Sequence, residues 1–158
     1  MAIRATPIAL LFAGALLAKA AHAQGARVQA VVDVGALAAD GTIPVTVRVV
    51  PSTVVLGSYQ GALRFTPGSV QLRQVTAPRG GDATRLVNAA DSTSGLVRFA
   101  GYTVSGFRHD TVLTLRVRPT RPLDPSAFIA TLEVAADSAG TRIPRERLLP
   151  SSGGRPRP

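Results

Sequence analysis

The 158-residue chain has no cysteine and no tryptophan, and only five phenylalanines and two tyrosines. The absence of cysteine excludes a disulfide framework, a thiolate metal site, a cysteine nucleophile and the lipid attachment of a bacterial lipoprotein. Histidine is scarce as well, with two residues, and nine acids face eighteen basic residues. That leaves little material for acid–base or metal chemistry. One lysine stands beside seventeen arginines, a usage that reflects a high-GC genome more than a mechanism. Twelve prolines and fifteen glycines argue against a helical bundle, because both residues are poor in helix interiors. What is present is a 46% hydrophobic chain, long enough for one domain with its own core. Composition therefore points to a small, non-enzymatic, all-β domain.

The first segment is an address. In residues 1–23, Arg4 supplies a positive n-region, Ile8 to Ala18 an apolar h-region, and Ala21-His22-Ala23 a small-x-small cleavage site before Gln24, the tripartite pattern of a secretory signal peptide. The run is too short to span about 30 Å of hydrocarbon. Cleavage leaves 135 residues with His109 as the one histidine, and loss of Arg4 and Lys19 takes the formal charge from +9 to +7. No second apolar run follows. The expectation is an exported protein, extracellular or in the cell envelope, the periplasm included, with no transmembrane anchor after cleavage.

Period-2 alternation dominates the rest. Val28, Ala30, Val32 and Val34 share one parity, as do Val45, Val47 and Val49, the mark of half-buried strands. A long strand over Leu56–Thr66 sets Tyr59, Gly61, Leu63 and Phe65 on one face and Ser58, Gln60, Ala62 and Arg64 on the other. Val70–Val75 and Arg85–Asn88 are shorter strands. Leu96–Gly101 turns Val97 and Phe99 inward and Arg98 outward, and Thr103–Asp110 reads as a loop. Thr111–Arg118 alternates clearly. Phe128, Ala130, Leu132 and Val134 alternate with Ile129, Thr131 and Glu133, and Thr141–Ile143 reads as a last edge strand. Eight or nine short strands separated by turn signals predict an antiparallel β-sandwich of jelly-roll type over residues 24–143. Residues 144–158 hold a run of polar breakers and Arg145, Arg147, Arg155 and Arg157 against Glu146; they read as a disordered basic tail.

Candidate chemistry is thin. His109-Asp110 is the one His–acid pair, with Ser105 nearby. Adjacent residues of an extended segment point to opposite faces, so the pair cannot orient as a triad needs; the reading is a solvated loop and no catalytic residue. The aspartates Asp33, Asp40, Asp82, Asp91, Asp124 and Asp137 sit mostly at turns, where the carboxylate bonds the local backbone, and none forms a calcium loop of the D-x-D-x-D-G kind. No metal or cofactor is expected. The scarce aromatics mostly face inward by parity, which argues against a nucleic-acid groove with stacking residues, and the basic tail is at most loosely attracted to anionic envelope polymers. Tyr102 and Phe107 are the exposed aromatics expected, a narrow platform for a glycan.

The order of parts resembles a bacterial cohesin domain, within the wider jelly-roll superfamily that includes carbohydrate-binding modules. The resemblance covers Arg27 to Ile143 and is carried by several stretches. Gly41-Thr42-Ile43-Pro44-Val45-Thr46-Val47 is a short Val-rich strand, and Leu56 to Val70 a long strand closed by Phe65-Thr66-Pro67, with Thr66 where the family has aspartate. Gly95 to Gly101 is a glycine-led strand; Thr111 to Leu115 and Phe128 to Val134 stand as the last core strands, and Asp137 to Ile143 as the closing turn. The resemblance implies a nine-stranded jelly roll, secreted and non-catalytic, that docks a dockerin-like protein partner across one sheet, in a setting of polysaccharide degradation. By position, Ser58 and Gln60 fall where the family has partner-contacting polar residues, and Arg64 and Arg98 extend that wet face. The alternative occupant is a polysaccharide or envelope glycan at Tyr102 and Phe107.

Overall fold

The computed structural model describes residues 27–151 together with the backbone of Arg155 and Pro156; the expected signal peptide lies outside the described residues. The alternating segments form the strands β1 (Val28–Val34), β2 (Ile43–Pro51), β3 (Leu56–Arg64), β4 (Val70–Thr76), β5 (Thr84–Asn88), β6 (Leu96–Phe107), β7 (Asp110–Pro119) and β8 (Ile129–Asp137), followed by the two-residue β9 (Leu148–Leu149) and β10 (Arg155–Pro156). They build two sheets. One runs β10-β1-β2-β7-β4 with β9 also on β1; the other runs β5-β6-β3-β8. Every pairing among the eight longer strands is antiparallel, whereas β9 and β10 join β1 in parallel. The core lies between the sheets. Val32, Val47, Leu113 and Leu115 enter it from the first sheet and Leu63, Val97 and Ala130 from the second, all buried, and Phe128 closes it where the chain enters β8. Alternation therefore does its expected work: one parity packs, the other stays wet.

Four expectations need correction. The segment expected as a loop over Thr103–Asp110 is mostly strand: β6 runs on to Phe107, Arg108 and His109 turn, and β7 begins at Asp110. Val134 does not face the core. Pairing of β3 with β8 slips between Gln60 and Gly61, which oppose Val134 and Leu132, so Glu133 is an extra residue. Such a bulge reverses the parity beyond it; Ala135 is buried and Val134 is exposed. Thr141–Ile143 makes a single bridge, Arg142 to Ala136, not a strand.

The fourth correction concerns the end of the domain. The expected tail from Pro144 is part of the sandwich through Ser151. Leu148 is buried beside Val28, its register partner. The Ser151 amide donates to the Ala130 carbonyl at 2.9 Å, and the Ala130 amide donates to Ser151 Oγ at 2.9 Å. The physical reason is the outer edge of β1, whose backbone groups need partners; a short apolar pair, Leu148-Leu149, supplies them although its surroundings are rich in breakers. The arginine-rich end continues the same edge, with Asp33 opposite Arg155 and Val34 opposite Pro156. Leu148→Ala is therefore expected to cost about 2 kcal/mol or more, read as a lower urea midpoint; a disordered tail would leave the midpoint unchanged.

Candidate functional site

The two outer faces differ in chemistry. On the β5-β6-β3-β8 sheet the register sets outward residues in rows across the strands. One row is Thr84, Tyr102, Ser58 and Ala136; the next is Leu86, Ala100, Gln60 and Val134; a third is Asn88, Arg98, Ala62 and Thr131; the last is Leu96, Arg64 and Ile129. The four residues singled out by sequence position, Ser58, Gln60, Arg64 and Arg98, thus share one face, with Ser58 half-buried and the others exposed. Around Gln60 the face is apolar. Leu86 is 62%, Tyr102 54% and Val134 37% exposed, and Val104, 89% exposed, prolongs the line of β6 past Tyr102. The short Ala100 side chain leaves a depression of about 230 Å³ between Leu86, Tyr102, Gln60 and Val134, and a second of about 170 Å³ toward Asn88 and Arg98. Charge gathers at the other end: Arg98 Nη1 lies 3.9 Å from Glu133 Oε1, and Gln60 Nε2 donates to Glu133 Oε2 at 3.4 Å. Half-exposed contacts of that length add little to stability; their role is to place polar groups.

Beneath this face lies a buried polar cluster. Tyr59, on the inward parity of β3, donates its hydroxyl to Asp110 Oδ2. Arg85 of β5 forks onto the same carboxylate, with Nη2 2.7 Å and Nε 2.9 Å from Oδ1, and its Nη1 donates to the Pro78 carbonyl at 3.2 Å. Asp110 and Arg85 are nearly buried, at 4% and 12% side-chain exposure. Burial first, and the adjoining carboxylate second, push the Tyr59 phenol above its ordinary value, so it stays a donor. Gly101, opposite Tyr59, makes room: a Cβ there would run into the Tyr59 ring.

This cluster corrects two site expectations. Asp110 is not part of a solvated loop; it points inward while His109 is exposed, so the two do not cooperate. Phe107 is not an exposed platform. It is 5% exposed, with its ring centroid 5.3 Å from that of Tyr59 and the Arg85 guanidinium 5.6 Å from it. The extension of β6 carries it under the sheet. Tyr102 keeps its exposure but stands with Leu86 and Val134, on the same face as Gln60.

The stretch between Tyr102 and Phe107 bulges. Tyr102 opposes Ser58 and Phe107 opposes Leu56, so residues 103–106 span a single residue of β3. Asp82 pins them: its carboxylate accepts from the Ser105 amide at 2.8 Å, Ser105 Oγ at 2.9 Å and Thr103 Oγ1 at 2.9 Å. Those bonds, the Ser105 amide first, hold the Asp82 pKa down at about 2. Most other aspartates behave as turn residues: Asp40 accepts from Thr42, Asp124 from Ser126 and Asp137 from Ala139 and Thr141. Among the described residues no group of three His, Asp or Glu side chains is placed to hold a metal, and no helix is long and apolar enough to cross a membrane.

Sequence reasoning missed Leu86, Ala100, Val104 and Val134. Leu86 lay in a weakly alternating strand, Ala100 has no signal of its own, Val104 sits in a bulge and Val134 behind one.

No family model matches the sequence, and no curated protein matches it either. Solved structures do. The chain is similar to a chain of a type I cohesin–dockerin complex from Clostridium thermocellum, at 13% identity over 83% of this chain and 99% of that one, TM-score 0.53. It is similar to a non-cellulosomal cohesin from Archaeoglobus fulgidus, at 13% identity over 84% and 91%, TM-score 0.54. A cohesin module from a Clostridium perfringens family 33 glycoside hydrolase matches at 8% identity over 83% and 98%, TM-score 0.56. The fold is that of a cohesin domain.

Two predictions arise from the cluster and the clamp. Arg85→Ala leaves Asp110 buried without its counter-ion and is expected to cost about 3–5 kcal/mol, measured by guanidinium denaturation. Asp82, with its pKa lowered from 3.8 to about 2, contributes stability that is complete above the ordinary carboxylate range and disappears as pH falls through about 2. Protection of the Ser105 amide from exchange should follow that course, and Asp82→Asn should weaken it at pH 5.

Proposed function

We propose that this chain is a secreted, non-catalytic cohesin-like module that docks a dockerin-like protein partner on the outer face of β5-β6-β3-β8. The observation that carries this reading is where the apolar surface lies. Of the seven large hydrophobic residues left exposed among the described residues, five (Leu86, Tyr102, Val104, Ile129 and Val134) stand on this one sheet. Scattered single exposures need no explanation, but Leu86 and Val134 share one row with Tyr102 in the next, and such a grouping marks a contact surface. Gln60 stands within it, and Ser58, Arg64 and Arg98 supply polar groups around it, as a protein interface with a largely apolar centre and a polar rim requires. The cohesin fold supports a partner of the dockerin kind, and the leader-like residues 1–23 support export. Polysaccharide breakdown is the setting in which such a pair works. The glycan alternative loses Phe107, and the flanking aliphatic side chains suit a protein better than a sugar.

The test uses the full mature chain against a panel of calcium-loaded dockerin modules, with and without calcium. Gln60→Arg combined with Arg98→Glu, and separately Leu86→Asp, are expected to lower affinity by roughly tenfold or more with little change in Tm, since all three side chains are exposed. Unchanged affinity would move the contact off this face. Failure of every dockerin under both conditions removes the dockerin reading.

A further inference from the structure

The outer face of the other sheet is of opposite character. β7 turns Thr114, Arg116 and Arg118 outward, and its neighbours match them with polar groups: Gln71 of β4 opposes Arg118, Gln74 opposes Arg116, and Thr46 of β2 opposes Thr114. Arg48 of β2 and Arg73 of β4 add guanidinium groups. None of the seven exposed large hydrophobics belongs to β2, β4 or β7. The face presents guanidinium, amide and hydroxyl groups, and its ladders are interrupted by bulges at Arg73 of β4 and Val112 of β7.

Its charge is only partly matched. Arg48 Nε pairs with Asp33 Oδ2 at 2.8 Å, and Arg116 Nη2 lies 3.6 Å from Asp40 Oδ2. Arg118 Nη2 donates to the Asp40 backbone carbonyl at 3.1 Å, and Arg73 Nη2 to Gln71 Oε1 at 2.7 Å. Neither Arg73 nor Arg118 has a carboxylate within 4 Å among the described residues. Four arginines thus stand against two aspartates, on a chain of formal charge +9.

We infer that this face binds an acidic polysaccharide. Guanidinium groups recognise carboxylate and sulfate groups through paired N–H donors, and threonine hydroxyls and glutamine amides can both donate to and accept from sugar hydroxyls. The other occupants fit less well. An apolar protein surface finds nothing here to bury. Single-stranded nucleic acid needs aromatic platforms, and among the described residues the one exposed aromatic, Tyr102, is on the opposite sheet. A membrane surface is better met by basic groups with apolar side chains that insert beside them. This inference does not depend on the docking reading; together they describe an adaptor with a protein on one sheet and an anionic matrix on the other.

The experiment passes the full mature chain over immobilised polygalacturonate at low ionic strength, with neutral dextran as the blank. Any protein this basic adheres weakly to a polyanion, so the comparison is between charge-matched variants. Arg73→Gln combined with Arg118→Gln should weaken binding about tenfold, whereas Arg79→Gln combined with Arg108→Gln, which removes two exposed charges on loops, should weaken it far less. Leu86→Ser, which keeps the net charge, should leave it unchanged. Equal losses in the two double variants would reduce the effect to net charge and overturn the proposal. So would absence of retention, loss on Leu86→Ser, or tighter binding to duplex DNA or to phosphatidylglycerol vesicles.

Discussion

The carboxylate of Asp110 is the constraint on which this end of the sandwich depends. It enters from β7, in one sheet, and is held by Tyr59 and Arg85 from β3 and β5, in the other. A charge so placed is costly to desolvate, and only a complete set of donors offsets that cost. Here the set is complete: a phenol and a forked guanidinium, whose Nη1 also donates to the Pro78 carbonyl. The bond to Pro78 also ties the chain between β4 and β5 to the cluster, and so fixes where β5 begins. Since β5 carries Leu86, the apolar face outside is positioned by a polar cluster inside.

The arrangement divides labour between sheets. The β5-β6-β3-β8 face is shaped by small and apolar residues, with Ala100 as a low point among taller neighbours, and suits a surface that excludes water. The face built from β2, β7 and β4 is polar and wet, with arginine and threonine facing glutamine and threonine. Both sit on the same interior of Val, Leu and Phe, in which alternation alone decides which side each residue serves. Substitutions on one outer face can therefore vary with little effect on the other.

Much of this was readable from alternation. Leu113, Leu115 and Val117 against Thr114, Arg116 and Arg118 specify both a strand and its wet side, and Tyr59, Leu63, Val97 and Phe99 fell on the core side as their parity requires. Ser58, Gln60, Arg64 and Arg98 share a face for the same reason. What periodicity cannot show is where it is interrupted. Glu133 is one residue too many for the β3–β8 ladder, so Val134 emerges where a continuous strand would bury it. Nor does local pattern report a bond between Arg85 and Asp110, twenty-five residues apart, which is why Asp110 and Phe107 read as loop residues. Leu148 and Leu149 are too short a run to register beside their prolines and arginines; only the unfilled edge of β1 explains them.

That edge has a mechanical consequence. Because β9 and β10 lie parallel to β1, Val28 sits beside Leu148 at one end of the strand and Val34 beside Pro156 at the other, roughly 20 Å away for a strand of this length. Tension applied between Arg27 and Pro156 pulls the two strands past each other along their common axis. Their hydrogen bonds are then loaded together and not opened one after another, as they would be if the ends lay side by side. A module held at one end and loaded at the other resists extension through the segment that its composition marks as least ordered.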